Sequence, residues 1–191
     1  MKTIRVISTL VLTLVAQYAA AGLWQSELDN SEIKFDTIAD GAPFDGQFNQ
    51  FQAELQLSDL GIEHSDISVT LELASVDTQW SDGDMLLMGG DFFNTSQWPK
   101  AQLTSTKIRH ISGNTYVCDA QLDIKGIKKN IEVTFNAKDI QGGVREQKII
   151  TGFFVLNRLD FDIGIGEWIN TDWIANETQI SFKLSLYPAS K

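Results

Sequence analysis

The chain has 191 residues, 43% of them hydrophobic, and carries 25 Asp and Glu against 15 Lys and Arg, a formal net charge of −10. That excess of acid is repelled by phosphate backbones and by anionic lipid surfaces, which leaves nucleic acid out as a partner. One cysteine, Cys118, leaves no intramolecular disulfide to form in any compartment.

The first element in chain order is a secretory signal. Lys2 and Arg5 form a positive start, Val6 to Ala16 an apolar run, and Ala19-Ala20-Ala21 a small-residue cleavage site. The apolar run is shorter than the roughly 20 residues of a membrane span. The expectation is a signal peptide over 1–21, cut after Ala21, and one domain over 22–191. The mature chain then starts at Gly22 in the periplasm, without stable membrane insertion, holds 191 minus 21, or 170, residues, and has a charge of −12 once Lys2 and Arg5 are gone.

From Gly22 onward the pattern is alternation with a period of two, which marks strands with one dry and one wet face. Ile33 and Phe35 alternate with Lys34 and Asp36, and Ala53, Leu55 and Leu57 with Glu54, Gln56 and Ser58. Ile67, Val69, Leu71 and Leu73 follow, then Ile131, Val133, Phe135 and Ala137, then Ile180, Phe182, Leu184 and Leu186. Turn residues separate the runs at Asp29-Asn30-Ser31, Asp40-Gly41, Asp59-Leu60-Gly61, Ser112-Gly113-Asn114, Gly126 and Gln141-Gly142-Gly143. About eight short strands with tight turns predict an all-β, antiparallel up-and-down barrel or a sandwich.

The middle of the chain breaks this rhythm. A single short helix is predicted from about Asp82 to Met88, capped by Ser81 or Asp82 and ended by Gly89-Gly90. Met85, Leu86, Leu87 and Met88 cover nearly every side of it, so it is expected to be enclosed or to touch a ligand. Phe92 and Phe93 follow at adjacent positions, so one of them at most is expected to point straight inward. Trp168 and Trp173 lie in a later non-alternating segment and either guard a pocket mouth or pack a loop onto the barrel.

The wet faces carry Lys34, Glu54, Glu72, Asp119, Asp123, Glu132 and Lys183, which cannot face lipid cheaply. The charged face therefore meets water and the apolar face points inward. An eight-stranded barrel is just wide enough to be filled by its own side chains or to hold one ligand, and the pattern leaves both open. Cys118 shares a face with Tyr116, Ala120, Leu122 and Ile124 and reads as a buried, inert thiol. His64 and His110 stand alone near turns, and no metal or cofactor site is expected. Nucleophile motifs such as G-x-S-x-G are missing. Asp77, Asp82, Asp84, Asp91, Asp160 and Asp162 could supply a carboxylate pair for hydrolysis, or simply end strands, cap the helix and hold turns.

Three motifs carry a resemblance. Asp77-Thr78, Asp84-x-x-Leu87, Asp91-Phe92-Phe93 and Trp98-Pro99 form the first, Leu122 to Lys129 the second, and Asn157-Arg158-Leu159-Asp160-Phe161 the third. Together they resemble the YceI-like family of secreted bacterial proteins, with departures at Gly83, Leu86 and Asn130. The resemblance implies an antiparallel eight-stranded lipocalin-like barrel, with one short helix between strands in the middle of the chain. It implies a non-enzymatic periplasmic protein that carries or sequesters a long apolar lipid, a polyisoprenoid or an isoprenoid quinone. The alternatives are a small periplasmic hydrolase with paired carboxylates and a structural or stress-related protein with a filled barrel. The expected ligand contacts from the strands are Phe35, Leu55, Leu71, Leu73, Leu103, Phe135, Phe154 and Phe182. Those from the helix and loops are Met85, Leu86, Met88, Phe92, Phe93 and Trp168.

Overall fold

The computed structural model describes residues 22–143 and 145–189, so the predicted signal peptide lies outside the described residues. Its strand segments are β1 (Gly22–Ser26), β2 (Glu32–Ala39), β3 (Ala42–Phe48), β4 (Phe51–Ser58), β5 (Gly61–Glu72), β6 (Val76–Asp77), β7 (Lys100–Ser112), β8 (Thr115–Ile124), β9 (Ile127–Ile140), β10 (Gln147–Asn157) and β11 (Glu177–Pro188). The helix α1 (Ser81–Met88) lies between β6 and β7.

These segments make eight strands. β11 pairs antiparallel with β1 near its C-terminal end (Ser26↔Leu186) and with β2 farther back (Phe35↔Ile180). β1 and β2 are thus one strand, interrupted by a 3-10 turn at Leu28–Asn30. β3 and β4 likewise form one strand, which faces β6 and β5. With the three interrupted strands joined, the order runs up and down and closes where β11 meets β1 and β2, an antiparallel eight-stranded barrel. Closure removes the exposed sheet edges that an open sheet would have to protect. The sandwich left open by the strand pattern is not formed.

The interruptions differ from the predicted punctuation, because Asp29-Asn30-Ser31 kinks a strand instead of reversing it. Serine hydroxyls take over where the ladder breaks. Ser185, 1% exposed, donates from Oγ to the Asn30 carbonyl at 2.8 Å, while Ser31 Oγ accepts from the Ser185 N–H at 2.9 Å. Ser26 Oγ accepts from Ala53 N–H, and Ser75 Oγ from Gln50 N–H. Buried backbone groups left without a ladder partner are costly, and a short hydroxyl satisfies them without adding bulk.

The period-two pattern is realised as expected. Ala53, Leu55, Leu57, Val133, Phe135, Ala137, Leu184 and Leu186 are buried, and Lys34, Glu132 and Lys183 are exposed. Gly152 occupies an inward position of β10. A Cβ there would come within 2.5 Å of the Thr134 carbonyl oxygen and 2.7 Å of the Phe182 ring, so only glycine lets these strands approach. Gly126 turns β8 into β9 at φ +75° and lies flat against Trp98.

The two ends of the barrel differ. At one end sit the β2–β3 and β8–β9 turns and the two long connections, residues 78–99 and 158–176. The connections are tied together where Gly164 and Ile165 N–H donate to the Asp91 carbonyl, and where Phe92 packs on Trp168 with ring centroids 5.7 Å apart. Near the opposite end Trp24 is buried, 3% exposed. The Lys148 ammonium lies 4.9 Å from the centre of that indole and 2.5 Å from an Asp139 oxygen. Lys148 lies in step with the buried Ile150 and Leu156 of β10, so the same alternation turns it inward.

Candidate functional site

The barrel encloses a cavity of about 510 Å³. Its walls are built from the inward residues of the strands: Phe35 on β2, Val69 and Leu71 on β5, Leu103 on β7, Leu122 on β8, Phe135 on β9, Phe154 on β10, and Ile180 and Phe182 on β11. The barrel is not filled by its own side chains, because many of these stop short of the axis. Leu71, Leu103, Phe154, Ile180 and Phe182 remain only half-buried although they face inward.

Most of the predicted contacts come together here. Phe35, Leu71, Leu73, Leu86, Phe92, Phe93, Leu103, Phe135, Phe154, Trp168 and Phe182 all line the cavity. Three do not. Leu55 is fully buried in packing between strands. Met88 packs against the core outside the lining. Met85 is 59% exposed and points to solvent. The helix is therefore not enclosed: it lies across the barrel end, buries Gly83 and Leu87, and leaves Met85 on its outer side. Four consecutive apolar residues do not imply four buried ones in a helix this short, whose one face alone meets the barrel.

Helix capping also departs from expectation. The residue before the helix is Trp80, and neither Ser81 nor Asp82 caps it with its side chain. Asp84 works backward instead, accepting from the Thr78 N–H (2.8 Å) and the Thr78 hydroxyl (2.7 Å). This fastens the helix to the end of β6. Gly83 is small because Trp80 lies over it, where a Cβ would fall 2.6 Å from the indole. Phe92 and Phe93 both line the cavity, since they sit in a turn, where neighbouring side chains need not diverge as they do in a strand. Phe92 meets Trp168, and Phe93 meets Phe48 at 5.9 Å.

The two loop tryptophans divide the roles proposed for them. Trp168 is half-buried against Phe92, whereas Trp173 lines the cavity while 56% exposed. Trp80 does the same from the other connection, also at 56%. Asp40, on the β2–β3 turn, lines the cavity beside them and donates its N–H to the Trp173 carbonyl. These three residues mark the mouth.

Arg158 is the residue that an otherwise apolar lining explains least. It is 3% exposed, and its Nε, Nη1 and Nη2 donate to the carbonyls of Ala175, Ile163, Gly164, Trp168 and Ile174 at 2.7–3.1 Å. Burial pulls its pKa below the ordinary value. One guanidinium therefore gathers the backbone of the 163–175 segment into a roof. The sequence held a signal for this: period-two alternation continued past Phe154 and Leu156 turns position 158 inward.

Cys118 also lines the cavity, 3% exposed, and burial followed by the Asp119 charge pushes its thiol up to about 11. The thiolate fraction at pH 8 is then about 100-fold below that of a thiol at its ordinary value. Iodoacetamide at pH 8 is expected to leave Cys118 intact in the folded protein and to alkylate it on unfolding. Rapid labelling of the folded protein would contradict its placement. The unfolded thiol loses its proton first as pH rises from 9 to 11, so Cys118 lowers stability across that window.

The chain is thus a closed antiparallel barrel around an apolar cavity. A sequence model of the YceI-like domain matches residues 24–186, and the chain belongs to that family. It is 30% identical over 125 residues to the UPF0312 protein plu2095 of Photorhabdus laumondii, a match covering 63% of this chain and 65% of that protein. The matched stretch thus spans just under two thirds of that relative. Among solved structures, Burkholderia cenocepacia BcnA superposes with a TM-score of 0.77 at 26% identity, covering 84% of this chain and 98% of BcnA. A Saccharophagus degradans domain described as polyisoprenoid-binding superposes at 0.66 with 14% identity, covering 89% of this chain and all of that one, and shares the fold.

Proposed function

We propose that the protein binds a long apolar lipid, a polyisoprenoid or an isoprenoid quinone, and carries or sequesters it in the periplasm after cleavage at Ala21. The observation that carries this reading is the cavity of about 510 Å³ with its leucine, isoleucine, valine and phenylalanine walls. That volume is in the range of ligand pockets, and apolar surface moved into it from water gains about 25 cal/mol per Å². The description of the Saccharophagus degradans domain supports the ligand class.

The lining also supports binding over hydrolysis. Its acidic members are Asp40 at the mouth and Glu54, whose carboxylate accepts from the amides of Gln25 and Gln52 on the outer side of the wall. Hydrolysis by paired carboxylates needs two that flank one bond. Two of the candidate aspartates are engaged locally. Asp77 accepts from Gln79 N–H and the Asn49 amide, and Asp84 holds Thr78.

The test is mass spectrometry of the full chain purified from the periplasm and of its organic extract. The expected result is a polypeptide that starts at Gly22 and holds an unaltered isoprenoid lipid near one per chain. A protein that arrives empty and takes up no prenol or quinone from vesicles would overturn the reading.

A further inference from the structure

Resting on the lipid-binding reading above, we infer that the lipid enters and leaves the cavity sideways, through a window in the barrel wall between β9 and β10. The ladder between these strands ends at Phe153↔Thr134. Past that pair, residues 127–132 of β9 pair with β8 alone, and residues 155–157 of β10 pair with β11 alone. Just below the fork the strands are held close, where Gly152 leaves no room for a Cβ against the Thr134 carbonyl. Above it the Lys125 ammonium donates to the Asp162 carbonyl at 2.5 Å and ties the β8–β9 turn to the segment after β10.

This stretch of wall is apolar on both sides. Phe153 and Val155 are 54% and 51% exposed on its outside. Val133, Phe154 and Leu156, in the same two strands, line the cavity. Lys129 shares the inner face with its partner Leu122 and with Ile131, yet it is exposed, and Ile131 is only half-buried. Inward positions that reach water mark where the wall stops sealing the interior. Parting two paired strands breaks ladder hydrogen bonds, whereas widening this fork breaks none of them. The axial route runs between connections that Arg158 and the Asp91 carbonyl hold in place, so a chain entering end-on has to thread a fixed opening. A long chain laid against Phe153 and Val155 instead crosses the wall along its length, with apolar side chains before and behind it. Lys128 and Lys129, exposed on the unpaired part of β9, disfavour its use for pairing with a second chain.

A staple across the window tests this. Glu132→Cys with Val155→Cys places thiols at positions that would face each other if the register ran two residues further. The control, Val155→Cys with Gln179→Cys, ties the same β10 residue to its partner on β11. Uptake of geranylgeraniol from phosphatidylcholine vesicles by the full-length mature chain is followed by tryptophan quenching. The oxidised staple across the window is expected to slow uptake at least about tenfold, with recovery on reduction, while the control takes up lipid at the wild-type rate. Lys125→Met keeps the stem and removes the tie above the window, so it is expected to speed uptake and release several-fold; it decides the question alone if the cysteine pair fails to fold or to oxidise. Uptake unchanged by the oxidised staple, or slowed equally by the control, overturns the inference while lipid binding stands, and so does a Lys125→Met rate equal to wild type. A wild type that takes up no geranylgeraniol overturns the lipid-binding reading and this inference with it.

Discussion

Replacing Arg158 with methionine is expected to cost about 3–5 kcal/mol of folding stability, the largest effect of any single substitution near the site. Methionine restores most of the side-chain volume, so the loss is one of hydrogen bonds. Five carbonyls, from Ile163, Gly164, Trp168, Ile174 and Ala175, lose their donor. Each is costly to leave unpaired under a roof that excludes water. The segment is then expected to loosen, so limited proteolysis should cut between residues 162 and 176 before the barrel itself unfolds. Arg158→Lys keeps a charge but has three donors in place of five, and should fall between wild type and methionine. Urea denaturation followed by tryptophan fluorescence measures all three proteins. A methionine variant as stable as wild type would show that the roof is held by its apolar contacts alone.

The second large effect is on binding. Ala101→Phe combined with Leu103→Trp places two aromatic rings in the cavity from adjacent inward positions of β7. The rings have room in the void, so stability should change by no more than about 1 kcal/mol or should rise, since cavities cost roughly 24 cal/mol per Å³. Lipid affinity should fall at least about tenfold, because the occupied volume and its apolar wall are lost to the ligand. A packed barrel would respond in the opposite way, since overpacking two large rings costs several kcal/mol. The pair of readouts therefore separates an open cavity from a filled core. Loss of stability with unchanged lipid binding would place the ligand elsewhere.

Much of the barrel was legible along the chain, because a strand with one wet face writes its geometry directly as alternation. Leu71, Phe135 and Phe182 could be assigned inward from their neighbours alone. Met85 could not be assigned, since a helix of eight residues has too few turns to show which side meets the barrel. The doubled serine contacts at Asn30 and Ser31 were likewise hidden: an Asp-Asn-Ser triplet reads as a turn, and only pairing of both flanking segments with β11 shows it to be a kink. Asp40 read simply as a turn residue, and its place at the mouth depends on a carbonyl more than a hundred residues away at Trp173.

The sequence by itself determined the strand faces, the tight turns other than Asp29-Asn30-Ser31, the acidic exterior, the buried thiol and the family motifs, all of which rest on residues near one another in the chain. Tertiary structure alone decided three things. Closure depends on β11 meeting β1 and β2 across the whole chain, a non-local pairing. The void depends on how far opposing side chains reach toward the axis, a difference between two volumes that no pattern records. The roof depends on Arg158 finding five carbonyls that belong to a loop without periodicity. Each is a property of residues that become neighbours only when the barrel closes.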